Sequence, residues 1–232
     1  VAVTSPVSDR WTVAALLLLT FATGLVDAVS VLVLGHVFVA NMTGNVIFLG
    51  FWFVPHSGVD LGAAVVAFAS FVVGTVVGGR LARRLDGNAR RWLTVALGAE
   101  VLALAVLSVL AGTGVLGYAG SGRMTLIAGL AVVFGIQNAT ARQFGIQELS
   151  TTVLTTTIVG IGSDSRLAGG TGHREKLRYG VVLTMLTGAG VGATLTLVVV
   201  APVIALAAVV VAAAGAIFRY APQRLAAAPD SA

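Results

Sequence analysis

Residues 24–50 read GLVDAVSVLVLGHVFVANMTGNVIFLG, an apolar stretch interrupted by Asp27 and by the run Asn41-Met42-Thr43-Gly44-Asn45. A carboxylate or an unpaired backbone group is tolerated at membrane depth only when it lies against protein or water. The stretch is therefore either no membrane segment at all or the inner wall of a membrane bundle. The rest of the chain decides which.

Of 232 residues, 57% are hydrophobic and 10% charged, with a mean hydropathy of +1.00. Soluble domains carry roughly 25% charged residues. The composition predicts an all-α polytopic membrane protein in contact with the lipid bilayer, its whole length forming a single integral membrane domain. The net charge of +5 comes from basic residues at the ends of apolar runs. Nucleic-acid binding needs a clustered basic surface and is excluded as a function class. There is no cysteine, so disulfides, thiolate metal sites and cysteine nucleophiles are ruled out. His36, His56 and His173 are scattered without zinc spacing, and no Walker A, G-x-S-x-G or dinucleotide fingerprint occurs in context. No cofactor, no metal and no enzymatic activity are expected. No cleavable signal is expected either, because the first apolar run is too long for one.

Six full spans are predicted at 11–34, 61–79, 92–110, 124–140, 179–200 and 203–218, with a tight Ala201-Pro202 turn between the last two. Two weaker apolar segments, 37–54 and 149–162, carry the polar runs and read as tilted, interrupted or re-entrant. Arg80, Arg83, Arg84, Arg90 and Arg91 crowd one connection. If the weak segments cross fully there are eight spans, and with the N-terminus inside this connection falls outside, against the positive-inside rule. If neither changes sides, every arginine-rich segment is cytoplasmic, including both termini. The six-span arrangement is adopted. The arginine-rich, alanine- and valine-rich composition suits a bacterial source and hence the cytoplasmic (inner) membrane.

The chain also repeats itself. Gly24-Leu-Val-Asp27-Ala28 parallels Gly135-Ile-Gln-Asn138-Ala139, Gly35 parallels Gly145, Met42-Thr43-Gly44-Asn45 parallels Leu154-Thr155-Thr156-Thr157, and Gly74-x3-Gly78 parallels Gly188-x3-Gly192. With a tail at 1–10, repeats at 11–122 and 123–218 and a tail at 219–232, each repeat has three crossings. An odd number inverts the second repeat, giving an inverted 3+3 architecture of the kind found in secondary transporters.

The blocks G-x-V-D-A-x-S at Gly24, G-x-V-F-V-A-N-M-T-G-N at Gly35, G-I-Q-N-A-x-x-R-x-x-G at Gly135 and L-x-T-T-V-L-T-x-T at Leu149 resemble the YoaK-like family of bacterial integral membrane proteins, a domain of unknown function. The resemblance covers essentially the whole chain. Where members commonly read V-L-T-G-T, this chain has Val153-Leu154-Thr155-Thr156-Thr157 and lacks that glycine. No activity comes with the family, so the candidate residues rest on their chemistry.

Asp27, Asn41, Thr43, Gly44, Asn45, Gln137, Asn138, Thr152, Thr155 and Thr157 offer carboxylate, amide, hydroxyl and backbone oxygens that could replace the hydration shell of an ion or bind a small polar solute. Thr151 and Thr156 belong to the same run. Asp27 and Glu100 are candidate proton-relay acids. The competing reading has Asp27 accepting hydrogen bonds from Asn41 or Thr43 and only fixing the broken segment, with Glu100 paired to an arginine. Asn138 is expected opposite Asp27, and Arg142 to neutralise an acid or to snorkel to the interface. The expected function is a small transporter or channel with a midplane site between the interrupted segments. The alternative is a non-transporting scaffold or partner subunit. The GxxxG faces are candidate surfaces for homo-oligomer formation.

Overall fold

The computed structural model describes residues 5–54, 58–85, 88–144, 154–172 and 174–222. Within them lie α1 (Asp9–Leu32), α2 (Met42–Gly50), α3 (Leu61–Arg84), α4 (Ala89–Gly112), α5 (Gly120–Arg142), α6 (Leu154–Ser163), α7 (Glu175–Thr196) and α8 (Ala201–Tyr220). Six of these, all but α2 and α6, are 20 to 24 residues long and apolar enough to cross a membrane. At 1.5 Å per residue they reach about 30–36 Å, the hydrocarbon thickness. α2 has 9 residues and α6 has 10, each about half that reach. The expected division into six long helices and two short segments holds.

The helix ends differ from the apolar runs. α3 continues past Gly79 through Arg83 and Arg84 in its last turn, where cations suit the exposed carbonyls. α7 begins before the expected span at 179–200 and takes in Glu175, Lys176 and Arg178. Ala201-Pro202 is not a turn but the first turn of α8. A proline there loses an N–H that had no helical partner anyway.

The packing follows one pattern. α3 lies on α5 and α1 on α7; α4 packs on α8 and on α5, and α8 also on α1; α2 packs on α3, and α6 on α7. Glycines let two of these pairs touch backbone to backbone. Gly24 of α1 faces Met185, Gly188 and Ala189 of α7, while Gly188 faces Phe21 and Gly192 faces Leu25. In the same way Gly135 of α5 faces Phe71 and Gly74 of α3, Gly74 faces Val132, and Gly78 faces Ile136. A Cβ on Gly24 would stand 2.6 Å from the Met185 carbonyl oxygen. The GxxxG faces are thus buried inside this chain, so the expectation that they join two copies is not met there. Four residues along one helix match four along the other in both pairs, so α1 and α7 run parallel, as do α3 and α5.

Two further contacts fix the ends of the bundle. Gly35, just past α1, lies beside Ala63 of α3 and Arg123 of α5, and Arg123 is ion-paired with Asp60. At the opposite end Phe144 stacks on Phe218, with ring centroids 5.4 Å apart and planes 1° from parallel, and meets Trp92 at 6.1 Å. Arg90 donates to the Ala221 carbonyl there. α1 and α5 are the most enclosed spans, with 72% and 61% of their apolar windows buried against 44% or less elsewhere.

Candidate functional site

Beyond α1 the chain passes through Gly35 and His36, both at positive φ (103° and 59°). It then returns along α1 through residues 37–41, which belong to no helix. Such a segment needs partners for its N–H groups, and Asp27 supplies the acceptors. Its Oδ1 takes the N–H of Val39 at 2.9 Å and of Ala40 at 2.9 Å, and its Oδ2 takes the Asn41 amide. Asn41 is the N-cap of α2, yet its side chain makes no cap bond to that helix and goes to Asp27. Thr43, the other suggested donor, is exposed.

Asn45 completes the loop. Its Oδ1 accepts from Phe38 N at 2.9 Å and its Nδ2 donates to Phe38 O at 2.6 Å, so one amide stands in for a missing strand neighbour. It is the buried residue of α2. Gly44 lies under the Phe38 ring, which a Cβ would meet at 2.5 Å. Thr157 holds the matching place as the buried residue of α6, while Thr155 and Thr156 are exposed. Thr151 and Thr152 lie outside the described residues, as do Gly145, Glu148, His56 and His173.

α5 contributes Gln137 and Asn138. Gln137 donates to Leu19 O at 3.3 Å and to Thr23 Oγ1 at 3.2 Å, tying α5 to the middle of α1. Asn138 donates to Phe134 O of its own helix at 2.9 Å. Asp27 takes its bonds from residues 39–41, and the expected Asp27–Asn138 facing pair does not form. The cause is geometric: α5 starts at the end where α1 stops, so the level of Thr23 and Gln137 separates the two. Asp27 lies one turn above Thr23, about 6 Å along the axis, and Asn138 lies on the other side.

Glu100 is 3% exposed in the middle of α4, and neither carboxylate oxygen has a hydrogen-bond partner. The arginine partner considered for it is absent. Arg142 is exposed at the end of α5, as expected of an arginine reaching the interface. The described residues contain no group of three or more His, Cys, Asp or Glu able to hold a metal.

Of the two short helices, α2 packs on α3 and α6 on α7. The structure therefore gathers Asp27, Asn41, Gly44 and Asn45 into one cluster and Gln137 with Thr23 into another. Sequence reasoning missed two features. Asp60 caps α3 through Ala63 N at 2.9 Å while pairing with Arg123, and these bonds, the Ala63 N–H first, hold its carboxyl below the ordinary range. Arg178 joins α7 to α6, donating to Gly160 O at 2.6 Å and pairing with Asp164 at 2.7 Å. The signal for both was a charge placed at a helix start.

No solved structure matches the chain. A similar protein is the UPF0700 transmembrane protein YoaK of Bacillus subtilis (strain 168), 33% identical over 152 residues. The match covers 63% of this chain and 64% of that relative, so the chain spans less than two thirds of its length. The model of the family described as "Protein of unknown function (DUF1275)" matches residues 15–217. With its six membrane-length helices, the chain belongs to this YoaK-like family of multi-pass membrane proteins.

Proposed function

We propose that this protein is a small transporter or channel for an ion or small polar solute, built as an inverted 3+3 repeat with two re-entrant segments in the bacterial cytoplasmic membrane. The observation that carries the reading is the exchanged pairing of the halves. α1 takes α7 in parallel through Gly24 and the Gly188/Gly192 ridge, and α5 takes α3 in parallel through Gly135 and the Gly74/Gly78 ridge. Replacing each helix by its counterpart in the other half leaves this pattern unchanged. An inverted repeat with an interrupted segment in each half is the architecture on which alternating access is built.

The short segments fit the same reading. Gly35 and Asp60 lie at one end of the bundle, both beside Arg123, which favours a chain between them that enters and leaves on one side. The arginines of α3, α4, α7 and α8 gather at the opposite end, which supports cytoplasmic termini. On this reading the solute path runs past the Asp27–Asn41–Asn45 cluster on one side and the Asn138–Thr157 side on the other, with Glu100 as a relay acid. No enzymatic role and no cofactor are assigned.

The test is flux into liposomes holding the purified protein, over a panel of inorganic ions and small metabolites. Uptake of one class above empty liposomes supports the reading. Silence across the panel, with a stoichiometric partner recovered from native membranes, overturns it in favour of a scaffold. One observation favours that second reading: every hydrogen bond Asp27 accepts comes from the loop it anchors.

A further inference from the structure

Glu100 is a carboxylate that the fold buries without a partner. The face it occupies can be read from contacts on either side of it. Above, Leu107 of α4 meets Gly129 of α5, where a Cβ would stand 2.9 Å from Leu107 Cδ2. Below, Trp92 of α4 meets Phe144, two residues past the end of α5. Leu107 to Glu100 is seven residues, roughly two turns, so both lie on one face of α4. The same step on α5 leads from Gly129 to Ile136. Glu100 therefore projects at the level of Ile136, within a turn of Gln137 and Thr140.

Those two neighbours are incomplete in a matching way. The Gln137 Nε2 is used by Leu19 O and Thr23 Oγ1, which turns Oε1 away from α1, and that oxygen has no partner. Thr140 Oγ1 has none either. Gln137 is 0% exposed and Thr140 1%. Two carboxylate oxygens, an amide oxygen and a hydroxyl oxygen thus fall within about one turn of one another along the α4–α5 pair, each without a hydrogen-bond partner. Among the described residues no cation bonds them: Arg142 of α5, Arg219 of α8 and Arg80, Arg83 and Arg84 of α3 are all exposed toward helix ends. Buried polar atoms are almost always paired, so a group of orphans calls for an explanation.

We propose that Glu100, Gln137 and Thr140 form a site for one monovalent cation, Na+ or a proton. All the donors are hard oxygens, suited to replacing the water of a small cation. One carboxylate neutralises one positive charge; a divalent ion would leave a net charge in the low-dielectric interior. A proton satisfies the same chemistry by binding the carboxylate and donating to Gln137 Oε1. The site rests on the transport reading only for its use, since occupancy is measurable without flux.

The test uses the full chain in nanodiscs. Thermal unfolding is followed in sodium chloride against choline chloride at equal ionic strength, and the infrared carbonyl band of protonated carboxyl groups is followed against pH. A stabilisation by Na+ over choline that is lost in Glu100→Gln and reduced in Gln137→Leu and Thr140→Val supports a sodium site. A carboxyl band missing in Glu100→Gln, with no sodium effect, supports a proton site. Should Glu100→Gln fail to fold, Glu100→Asp and Thr140→Val carry the comparison. The proposal is overturned if no sodium effect and no Glu100-dependent band is found, or if sodium stabilises all the variants as it does the wild type. Binding without flux leaves the site and removes the transport reading; flux without binding does the reverse.

Discussion

The Asn41 side chain donates to the carboxylate of Asp27, which stands 14 residues earlier on α1. With the N–H groups of Val39 and Ala40 on the other carboxylate oxygen, this bond returns the chain to α1 before α2 begins. Asp27→Asn puts an amide donor against the Asn41 donor and loses that bond, at a cost of about 1–3 kcal/mol. The double variant Asp27→Asn with Asn41→Asp keeps all three bonds, since the new amide oxygen still accepts from Val39 and Ala40 and its nitrogen donates to the new carboxylate. Thermal unfolding should show loss in the single variant and recovery in the double. If Asp27 also carries coupling, the folded double variant remains defective in flux.

Gly74 and Gly188 each sit against a carbonyl of the neighbouring helix, of Val132 and Phe21. Alanine at either position forces the helices apart and should cost about 1–3 kcal/mol. The two effects should be similar, because the contacts correspond. Gly98→Ala and Gly190→Ala, where nothing lies within 4 Å, should leave stability unchanged or slightly raised. Retention of folded protein after detergent heating measures all four.

The Asp60–Arg123 pair ties the start of α3 to the start of α5. Asp60 has a carboxyl held below its ordinary value by the Ala63 N–H and by Arg123. Its contribution is therefore fully present above the unfolded-state pKa, about 4, and is lost as pH falls through the lower folded value. Asp60→Asn keeps a capping oxygen but removes the charge, costing roughly 0.2–1 kcal/mol at neutral pH. The stability difference between wild type and variant should vanish at low pH; a difference that persists there contradicts the assignment.

Hydropathy and charge made the six long helices legible, because length and composition bound a membrane helix tightly. The order of the repeated glycines was legible too, but not what they touch. Gly74 and Gly78 carry the same spacing whether they face a second copy or α5, and only the three-dimensional pairing distinguishes the two. Asp27 was legible as a residue needing partners and Asn41 as one of them, yet two further donors lay in the backbone of residues 39 and 40, which no side-chain chemistry marks. The facing of Asp27 and Asn138 failed for a related reason. α5 starts where α1 stops, so residues equivalent in sequence on these two helices fall at different depths.

The central claim is that the chain between α1 and α3 returns to the side it came from, so that the two halves insert in opposite senses. The absence of cysteine allows single cysteines at Ser8, Gly58, Asn88 and Gly169 to be probed in intact cells with a membrane-impermeant maleimide. The account predicts labelling at Gly58→Cys from outside, and at Ser8→Cys, Asn88→Cys and Gly169→Cys only after permeabilisation. Labelling of Asn88→Cys from outside with Gly58→Cys protected would mean that the segment carrying α2 crosses the membrane, and would contradict it.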